Sequence, residues 1–327
     1  MHILVREISV PLIHKQISEA RARLKQPETI RRRRALRRVD KELEKGNYKS
    51  ALSLVKQLQG KPGGLRGFGA AQQVPRRISS LDELKLGGEV EISSLELIVD
   101  SVLRSIKCSL EFALICIGYI SWILLFLFYF VKSIIFNRTL ANFSFIEFDN
   151  FASSFCSSRL AIVCLQHEAG HFLVGYLLGV LPKRYKVPSV EDLKQDKFAQ
   201  GNVEFLGFEF QRDVYIETMS KKIFTKGKLS NETLKKFLRV ILGGLVAEHF
   251  MFGYSELLHS DVEKLERVLK WLGFTEIEAD SLIRQATVDT VLILSRQKES
   301  WSSLAEAMAL GRSVGLCIDT IERTLNF

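Results

Sequence analysis

The chain has 327 residues with a formal net charge of +9, and 47% of its residues are hydrophobic although 25% are charged. This composition indicates a large core or a membrane segment, and the length suits one large domain or two ordinary ones. Five cysteines without a C-x-x-C pair argue against a disulfide framework and indicate reduced thiols. No stretch fits G-x-x-x-x-G-K-[ST], so the sequence contains no P-loop ATPase.

The positive charge is concentrated at the start of the chain. Residues 1–80 carry 19 Lys/Arg and 6 Asp/Glu, whereas the remainder carries 27 and 31. Arginines dominate a predicted helix that breaks at Gly46-Asn47, and apolar residues at helical spacing follow over 48–58, so residues 1–60 are predicted to form a basic helical hairpin region. The arginine run is either a solvated helix face or a surface for anionic lipid or nucleic acid. Nucleic acid is not the expected partner, because no aromatic residues are interleaved with the arginines.

Two segments of very different composition follow the hairpin. Residues 61–93 include GKPGGLRGFG and KLGG, which is typical of a linker. Residues 94–136 are predicted to form a helix that runs into 112–131, a stretch of 20 residues without a charge. That length matches the hydrocarbon core of a bilayer, and basic residues flank the stretch on both sides. We therefore predict one transmembrane helix here, the alternative being a buried helix of a globular core.

The sequence HEAGH at 167–171 is an instance of H-E-x-x-H within an apolar helical run, 160–181. On a helix His167 and His171 share one face, so both imidazoles can reach one ion, and Zn²⁺ prefers such nitrogen ligands. Glu168 follows the first histidine and is placed to act as a general base toward water activated by zinc. Buried polar groups need partners, and a metal would supply one.

The remaining chain is predicted to be a loop over 183–200, a strand over 202–210 and then a helical bundle. The bundle helices are predicted at about 231–252, 261–272, 276–296, 301–309 and 314–325. A catalytic zinc requires a third protein ligand, and two carboxylates downstream are candidates. Glu248 lies on a helix in which Gly243-Gly244 permits close packing, and Asp261 lies at a helix start. His259 is a less favoured candidate.

These motifs together resemble the peptidase domain of the FtsH-type zinc metalloproteases. HEAGH is followed by GGLVAEHFMFG and then by SDVEKLE, in the order that this family shows. The resemblance covers about residues 150–327 and implies a mainly α fold: a helical-bundle zinc peptidase domain with a small β element. It implies that His167, His171 and Asp261 bind Zn²⁺ and that Glu168 is the general base. Glu248 would then orient a histidine, or serve as an alternative ligand.

The whole chain is similar to plant plastid relatives of FtsH that lack the ATPase, including the virescent-type proteins. This likeness implies a zinc-dependent metalloendopeptidase of a chloroplast membrane, thylakoid or envelope, that is ATP-independent in this chain. Protein or peptide substrates, the membrane, and a homo-oligomer or ATPase-bearing FtsH-type proteins are the implied partners. The chain departs from the family at His249, where the second glutamate of an A-E-E motif is usual. This departure and the missing ATPase bear on substrate range and assembly rather than on the metal.

Two other functions are compatible with the sequence. An intramembrane protease of the site-2 type would place HEAGH inside a spanning helix, which would explain the apolar run. A non-catalytic scaffold of chloroplast membranes would use zinc as a structural tie, which normally requires four protein ligands, with His259 available as the fourth.

Overall fold

A computed structural model describes residues 28–73, 97–107, 145–196, 199–219 and 228–325 of the chain. This part is mainly helical and contains one two-stranded sheet, as predicted. In chain order the elements are α1 (28–44), α2 (Tyr48–Leu58), a 3₁₀ turn (Ala70–Gln73), α3 (97–107), α4 (Phe145–Leu177), β1 (Pro182–Lys186), α5 (Val190–Gln195), β2 (Asn202–Phe205), α6 (Phe210–Met219), α7 (Asn231–Phe252), α8 (Leu258–Trp271), α9 (Glu276–Arg296), α10 (Lys298–Ala309) and α11 (Val314–Thr324).

The α4 helix, which carries HEAGH, crosses α7 at the centre of the core. The two backbones approach most closely at Gly170 and Gly243: a Cβ added at Gly170 would lie 2.4 Å from the carbonyl oxygen of Gly243. Only glycine permits such an approach, because any side chain would push the helices apart. The expectation that Gly243-Gly244 allows α7 to pack against the motif helix is therefore confirmed.

The bundle helices α7, α9 and α11 begin at their predicted residues because their starts are encoded locally, whereas α8 and α10, which have no side-chain cap, begin three residues earlier than predicted. The hydroxyl of Ser230 accepts a hydrogen bond from the Thr233 backbone N–H at the start of α7, and Ser313 caps α11 in the same way. Thr275 forms a capping box with Glu278 at the start of α9. A side-chain oxygen at this position satisfies an N–H that would otherwise lack a partner.

The region between α4 and α7 differs from the prediction. The predicted loop at 183–200 contains strand β1 and the short helix α5, and Ser189 caps α5. β1 pairs antiparallel with β2, with Tyr185 opposite Val203. The strand predicted over 202–210 stops at Phe205, because Gly207 adopts a positive φ of 92° and turns the chain into α6.

The predicted basic hairpin consists of α1 and α2, which are joined by a turn at Gly46. It packs on the bundle through a buried carboxylate: Arg32 and Arg33 of α1 each place Nε 2.8 Å from an oxygen of Asp319 on α11. Arg32 is thus buried in the packing between α1 and α11, whereas Arg33 reaches the same carboxylate from an exposed position.

The predicted linker begins in residues that are packed. Leu65 and Phe68 are buried, and the backbone N–H of Gly67 donates to the buried carboxylate of Glu322 at 2.6 Å. The hydroxyl of Tyr176 on α4 donates to the same oxygen at 2.7 Å. Residues 61–73 therefore contact both α4 and α11, while the rest of the predicted linker lies outside the described residues.

The predicted transmembrane stretch, 112–131, also lies outside the described residues; α3 precedes it and is helical over 97–107. None of the helices within the described ranges is both long enough and apolar enough to cross a bilayer.

Candidate metal centre

Two histidines of α4 form the base of a buried polar cluster. His167 and His171 lie one helical turn apart and are 4% and 6% exposed. Their Nε2 atoms are 2.9 Å apart, and the rings meet edge to face. A Cβ added at Gly244 of α7 would lie 2.5 Å from His167 Nε2 and 2.7 Å from His171 Nε2. The glycine predicted to permit helix packing thus also makes room for both rings.

Hydrogen bonds on the far side of each ring fix the tautomers. His171 Nδ1 lies 2.6 Å from the carbonyl oxygen of Val240, and His167 Nδ1 lies 2.6 Å from Glu248 Oε1. A carbonyl and a carboxylate only accept, so each Nδ1 carries the proton that it donates. The backbone N–H of Gly244 also lies 3.3 Å from His171 Nδ1, but the contact with the Val240 carbonyl is much shorter and decides the tautomer. In the neutral rings both Nε2 atoms therefore present lone pairs to the same point.

Asp261 completes the cluster from the first turn of α8. It is 1% exposed, and its Oδ2 lies 3.0 Å from His167 Nε2 and 2.9 Å from His171 Nε2. The other oxygen, Oδ1, accepts a hydrogen bond from Lys264 at 3.0 Å. One carboxylate oxygen is thus held by a lysine of the same helix and the other is directed at the histidine pair.

His167 Nε2, His171 Nε2 and Asp261 Oδ2 face one another, and a cation between them would stabilise their lone pairs and negative charge. When both rings are neutral and both Nδ1 atoms act as donors, two nitrogen lone pairs and a carboxylate oxygen lie about 3 Å from one another, and Asp261 Oδ2 then has no hydrogen-bond donor among the described residues. Tetrahedral ligands at about 2.05 Å from an ion are about 3.3 Å apart, close to this spacing. Among the described residues, His167, His171 and Asp261 have ligand atoms close enough together, within 4.8 Å, to hold one metal ion. The cluster can therefore bind a metal.

A proton can take the place of the metal, and the directions of the pKa shifts favour its placement on His167. Burial lowers the pKa of His167, but hydrogen bonds to Asp261 and Glu248 outweigh it and raise the pKa to about 10. Burial raises the pKa of Asp261, but the charge of His171 and the hydrogen bonds of both histidines hold it well below its usual value. Without metal, a protonated His167 pairs with the carboxylate of Asp261. A metal ion that binds there must displace the proton.

Glu248 orients a ligand and does not belong to the three-residue group. It is completely buried, and while Oε1 accepts from His167, Oε2 accepts the backbone N–H of Glu256 at 2.6 Å and that of Leu257 at 3.2 Å. Those amides immediately precede α8, which carries Asp261. Glu248 thus fixes both the first histidine and the start of the helix that carries Asp261, and it is Asp261 rather than Glu248 that lies in the group able to hold a metal ion.

Glu168 lies next to the cluster and keeps one buried oxygen without a hydrogen-bond partner among the described residues. The residue is 5% exposed, and the oxygen is Oε2. The backbone of Gly201 covers the carboxylate so closely that a Cβ there would lie 2.6 Å from Oε1. Burial is the main cause that raises the pKa of Glu168. A carboxylate in this position can exchange a proton with a small molecule in the adjoining cleft.

The cluster opens into a cleft of about 400 Å³. β2 forms one wall of the cleft with Asn202, Val203 and Phe205, and apolar residues of α7 form another. His259 also lines the cleft, although it is not a member of the three-residue group.

Sequence reasoning missed three contributors to the site. Gly201 gave no motif signal, Lys264 was one charge among several on an amphipathic helix, and the Val240 carbonyl belongs to the backbone, which no side-chain pattern reports. Gly201 and Val240 act through approaches between distant parts of the chain, whereas Lys264 lies three residues from Asp261 on the same helix, a spacing that the sequence does show. The His171–Val240 hydrogen bond, for example, spans 69 residues.

Comparison of the chain with known proteins adds no family assignment. No protein-family model matches it, and neither the curated proteins nor the solved structures include a significant match.

Proposed function

We propose that the protein is a membrane-anchored zinc metalloendopeptidase of the FtsH-like type, ATP-independent in this chain. The observation that supports this proposal is the convergence of His167 Nε2, His171 Nε2 and Asp261 Oδ2 in a buried cluster beside the carboxylate of Glu168. Two imidazoles, one carboxylate and an adjoining cleft are the features that a catalytic rather than a structural zinc site requires. The donor set of two nitrogens and one oxygen suits Zn²⁺, which we propose as the metal.

Each side chain would have a separate task. His167 and His171, held by Glu248 and Val240, and Asp261, held by Lys264, would bind the ion. Zinc supplies Lewis acidity, which polarises a carbonyl and lowers the pKa of water to about 7. Glu168 would take a proton from the attacking water through its available Oε2 and return it to the leaving amine, as a general base and then a general acid.

The cleft supports a peptide substrate rather than a small metabolite. β2 belongs to a two-stranded sheet and lines the cleft, so an extended peptide could pair along it as an added strand. Main-chain hydrogen bonds of that kind hold peptides of many sequences, and they would place a scissile bond near Glu168. Phe205 and Phe208 give the cleft an apolar wall for one substrate side chain.

The two alternative functions receive less support. The apolar run at 160–181, which suggested an intramembrane protease, is accounted for by burial in the core, since Phe172, Leu173 and Tyr176 are fully buried against protein. A purely structural zinc site would need a fourth protein ligand, and His259, the candidate for it, is not in the described cluster.

Attachment to a chloroplast membrane and cooperation with ATPase-bearing FtsH-type proteins or a second copy of the chain remain proposals. The membrane proposal is based on the uncharged stretch at 112–131, and the chloroplast and the partners are based on the resemblance to plastid FtsH relatives.

The test is a comparison of metal content and casein cleavage between the wild type and Glu168→Gln. The variant is expected to retain zinc, because Glu168 is not a ligand, and to lose cleavage. Glu256→Gln is the matched control: Glu256 also lines the cleft but pairs with Arg159 outside the cluster, so cleavage should persist. Cleavage by Glu168→Gln at the wild-type rate would refute the proposed mechanism. Zinc retention without cleavage by any variant, wild type included, would favour the scaffold.

A further inference from the structure

The outer surface of the helical hairpin is the most strongly charged part of the described structure. Residues 28–61 contain 11 Lys/Arg and 4 Asp/Glu. Five of the cations, Arg31, Arg34, Arg38, Lys41 and Lys45, recur every three or four residues of α1 and therefore lie in one stripe along the helix. All five are exposed. We call this set the basic stripe; it is about 21 Å long at 1.5 Å per residue.

The opposite face of α1 explains why the stripe faces outward. Leu36, Val39 and Leu43 are buried against the bundle, and Arg32 is buried with its Nε on Asp319. The arginines of α1 thus divide into two kinds: those that hold the hairpin to α11 and those that take no part in packing. Within the described ranges, Arg31, Arg34, Arg38 and Lys41 form no ion pair with an acidic side chain, although Arg38 lies close enough to Glu42 to lower the pKa of that carboxyl.

A groove beside the stripe carries the donors that phosphate groups require. It lies between α1 and α2, has a volume of about 690 Å³, and is lined by Arg38, Lys41 and Lys49 together with the hydroxyls of Ser50 and Ser53. One carboxylate, Glu42, also lines it and is paired with Lys45. Arginine and lysine make charge-assisted hydrogen bonds to phosphate oxygens, and hydroxyls add neutral ones. The groove could therefore accept a phosphate headgroup beside the stripe.

We propose that the basic stripe and this groove form a docking surface for an anionic lipid bilayer. The stripe follows one face of a single helix, and Ile30 beside its first residue is 58% exposed, as in helices that lie in a membrane interface. The stretch at 112–131 would bring the same chain to a bilayer. Binders of single-stranded nucleic acid use aromatic rings for stacking, and no aromatic residue lies on the stripe.

This inference depends on the proposed membrane attachment and not on peptidase activity. Docking would place α1 and α2 against the headgroups and so fix which surface of the protein faces the membrane. Basic residues near an anionic surface each strengthen binding by about 5-fold.

The test measures the reactivity of lysines in the full-length protein with an amine-modifying reagent, read by mass spectrometry. The protein is reconstituted into vesicles of phosphatidylcholine alone or of phosphatidylcholine with phosphatidylglycerol. If it purifies without detergent, it is instead mixed with the same two kinds of vesicle. Labelling of Lys41, Lys45 and Lys49 is expected to fall several-fold only with the anionic lipid and to recover in high salt. Lys194 and Lys298, which are exposed elsewhere, should be labelled equally with both lipids.

A charge-reversed variant gives an independent measurement. Arg34→Glu/Arg38→Glu/Lys41→Glu should lose the protection and weaken the charge-dependent part of vesicle binding by roughly 100-fold. The control Lys194→Glu/Lys298→Glu should behave as the wild type. Glu168→Gln should also keep the protection, which separates this inference from the proposed function.

Three outcomes would overturn the proposal. Equal labelling of the hairpin lysines with neutral and anionic vesicles would show that lipid charge is not recognised. Protection by RNA at a salt concentration where anionic vesicles give none would assign the surface to nucleic acid. Protection by inorganic phosphate alone, to the extent seen with vesicles, would indicate binding of a free anion.

Discussion

Gly244 offers a sharp test of how the metal centre is built. Replacement by alanine would place a Cβ 2.5 Å from His167 Nε2 and 2.7 Å from His171 Nε2, where ordinary contact begins at 3.4 Å. Relief of that overlap requires the rings to move by nearly 1 Å, yet neither can rotate away without losing its Nδ1 hydrogen bond. A functional constellation tolerates displacements of only about 0.5 Å, so we expect metal affinity to fall by roughly 100-fold.

The measurement is zinc affinity by competition with a chromogenic chelator, together with thermal unfolding monitored by circular dichroism. Gly315→Ala is the matched control, because its Cβ would lie 2.6 Å from Asp40 Oδ2 and 2.8 Å from the Leu36 carbonyl oxygen, far along the chain from the metal ligands. Both variants should lose stability through overpacking, by about 1–3 kcal/mol. Only Gly244→Ala should lose metal affinity in the folded protein, and wild-type zinc affinity in that variant would refute the assignment of the cluster.

Three further predictions concern Gly201, the protonation of His167, and the buried carboxylate of Asp319. Gly201→Ala would drive a Cβ to within 2.6 Å of the Glu168 carboxylate, so it should retain zinc but lose most casein cleavage; loss of both together would contradict separate roles for base and ligands. The metal-free protein should unfold at a lower temperature at about pH 9 than at about pH 6. The pKa of His167 is raised from 6.5 to about 10, so the stability that its proton contributes is fully present below pH 6.5 and is lost as the pH rises toward 10. Zinc-loaded protein should not show this loss, since the proton has been displaced, and identical pH profiles for both forms would argue against the imidazolium. Asp319→Ala should lower the free energy of unfolding by about 3–5 kcal/mol in urea titrations, because it leaves the buried Arg32 without its counter-charge, whereas Lys45→Ala should cause no measurable change since its ion pair is exposed.

The histidine pair of the candidate metal site could be predicted from helix geometry, whereas the third ligand could not. Two histidines four residues apart on a helix must share a face, so their pairing follows from helix geometry alone. The third ligand did not follow in this way, because Glu248 and Asp261 were both plausible carboxylates and only the resemblance to a known family favoured one. The structure separates them by distance: Glu248 reaches the Nδ1 side of His167, while Asp261 reaches the Nε2 side of both rings.

The fold shows the same division at the sheet. Alternating residues predicted a strand from 202, and β2 begins there, but its end was set by Gly207 and its partner strand was not predicted. β1 has the sequence PKRYK, in which charged residues mask any apolar alternation. It forms a strand because it pairs with β2 and because the Tyr185 hydroxyl donates to the Arg312 carbonyl.

The sequence by itself determined the helices and their caps, the glycines at the α4–α7 crossing, and the pair of histidines with the adjacent glutamate. These features depend on residues within one or two helical turns, whose geometry the backbone fixes. Only the tertiary structure decided which carboxylate faces the histidines, that Gly201 covers Glu168, and that Arg32 of α1 is buried on Asp319 while the basic stripe faces outward. Those arrangements join residues far apart in the chain, such as the 81 residues between His167 and Glu248, and they exist only once the helices have packed.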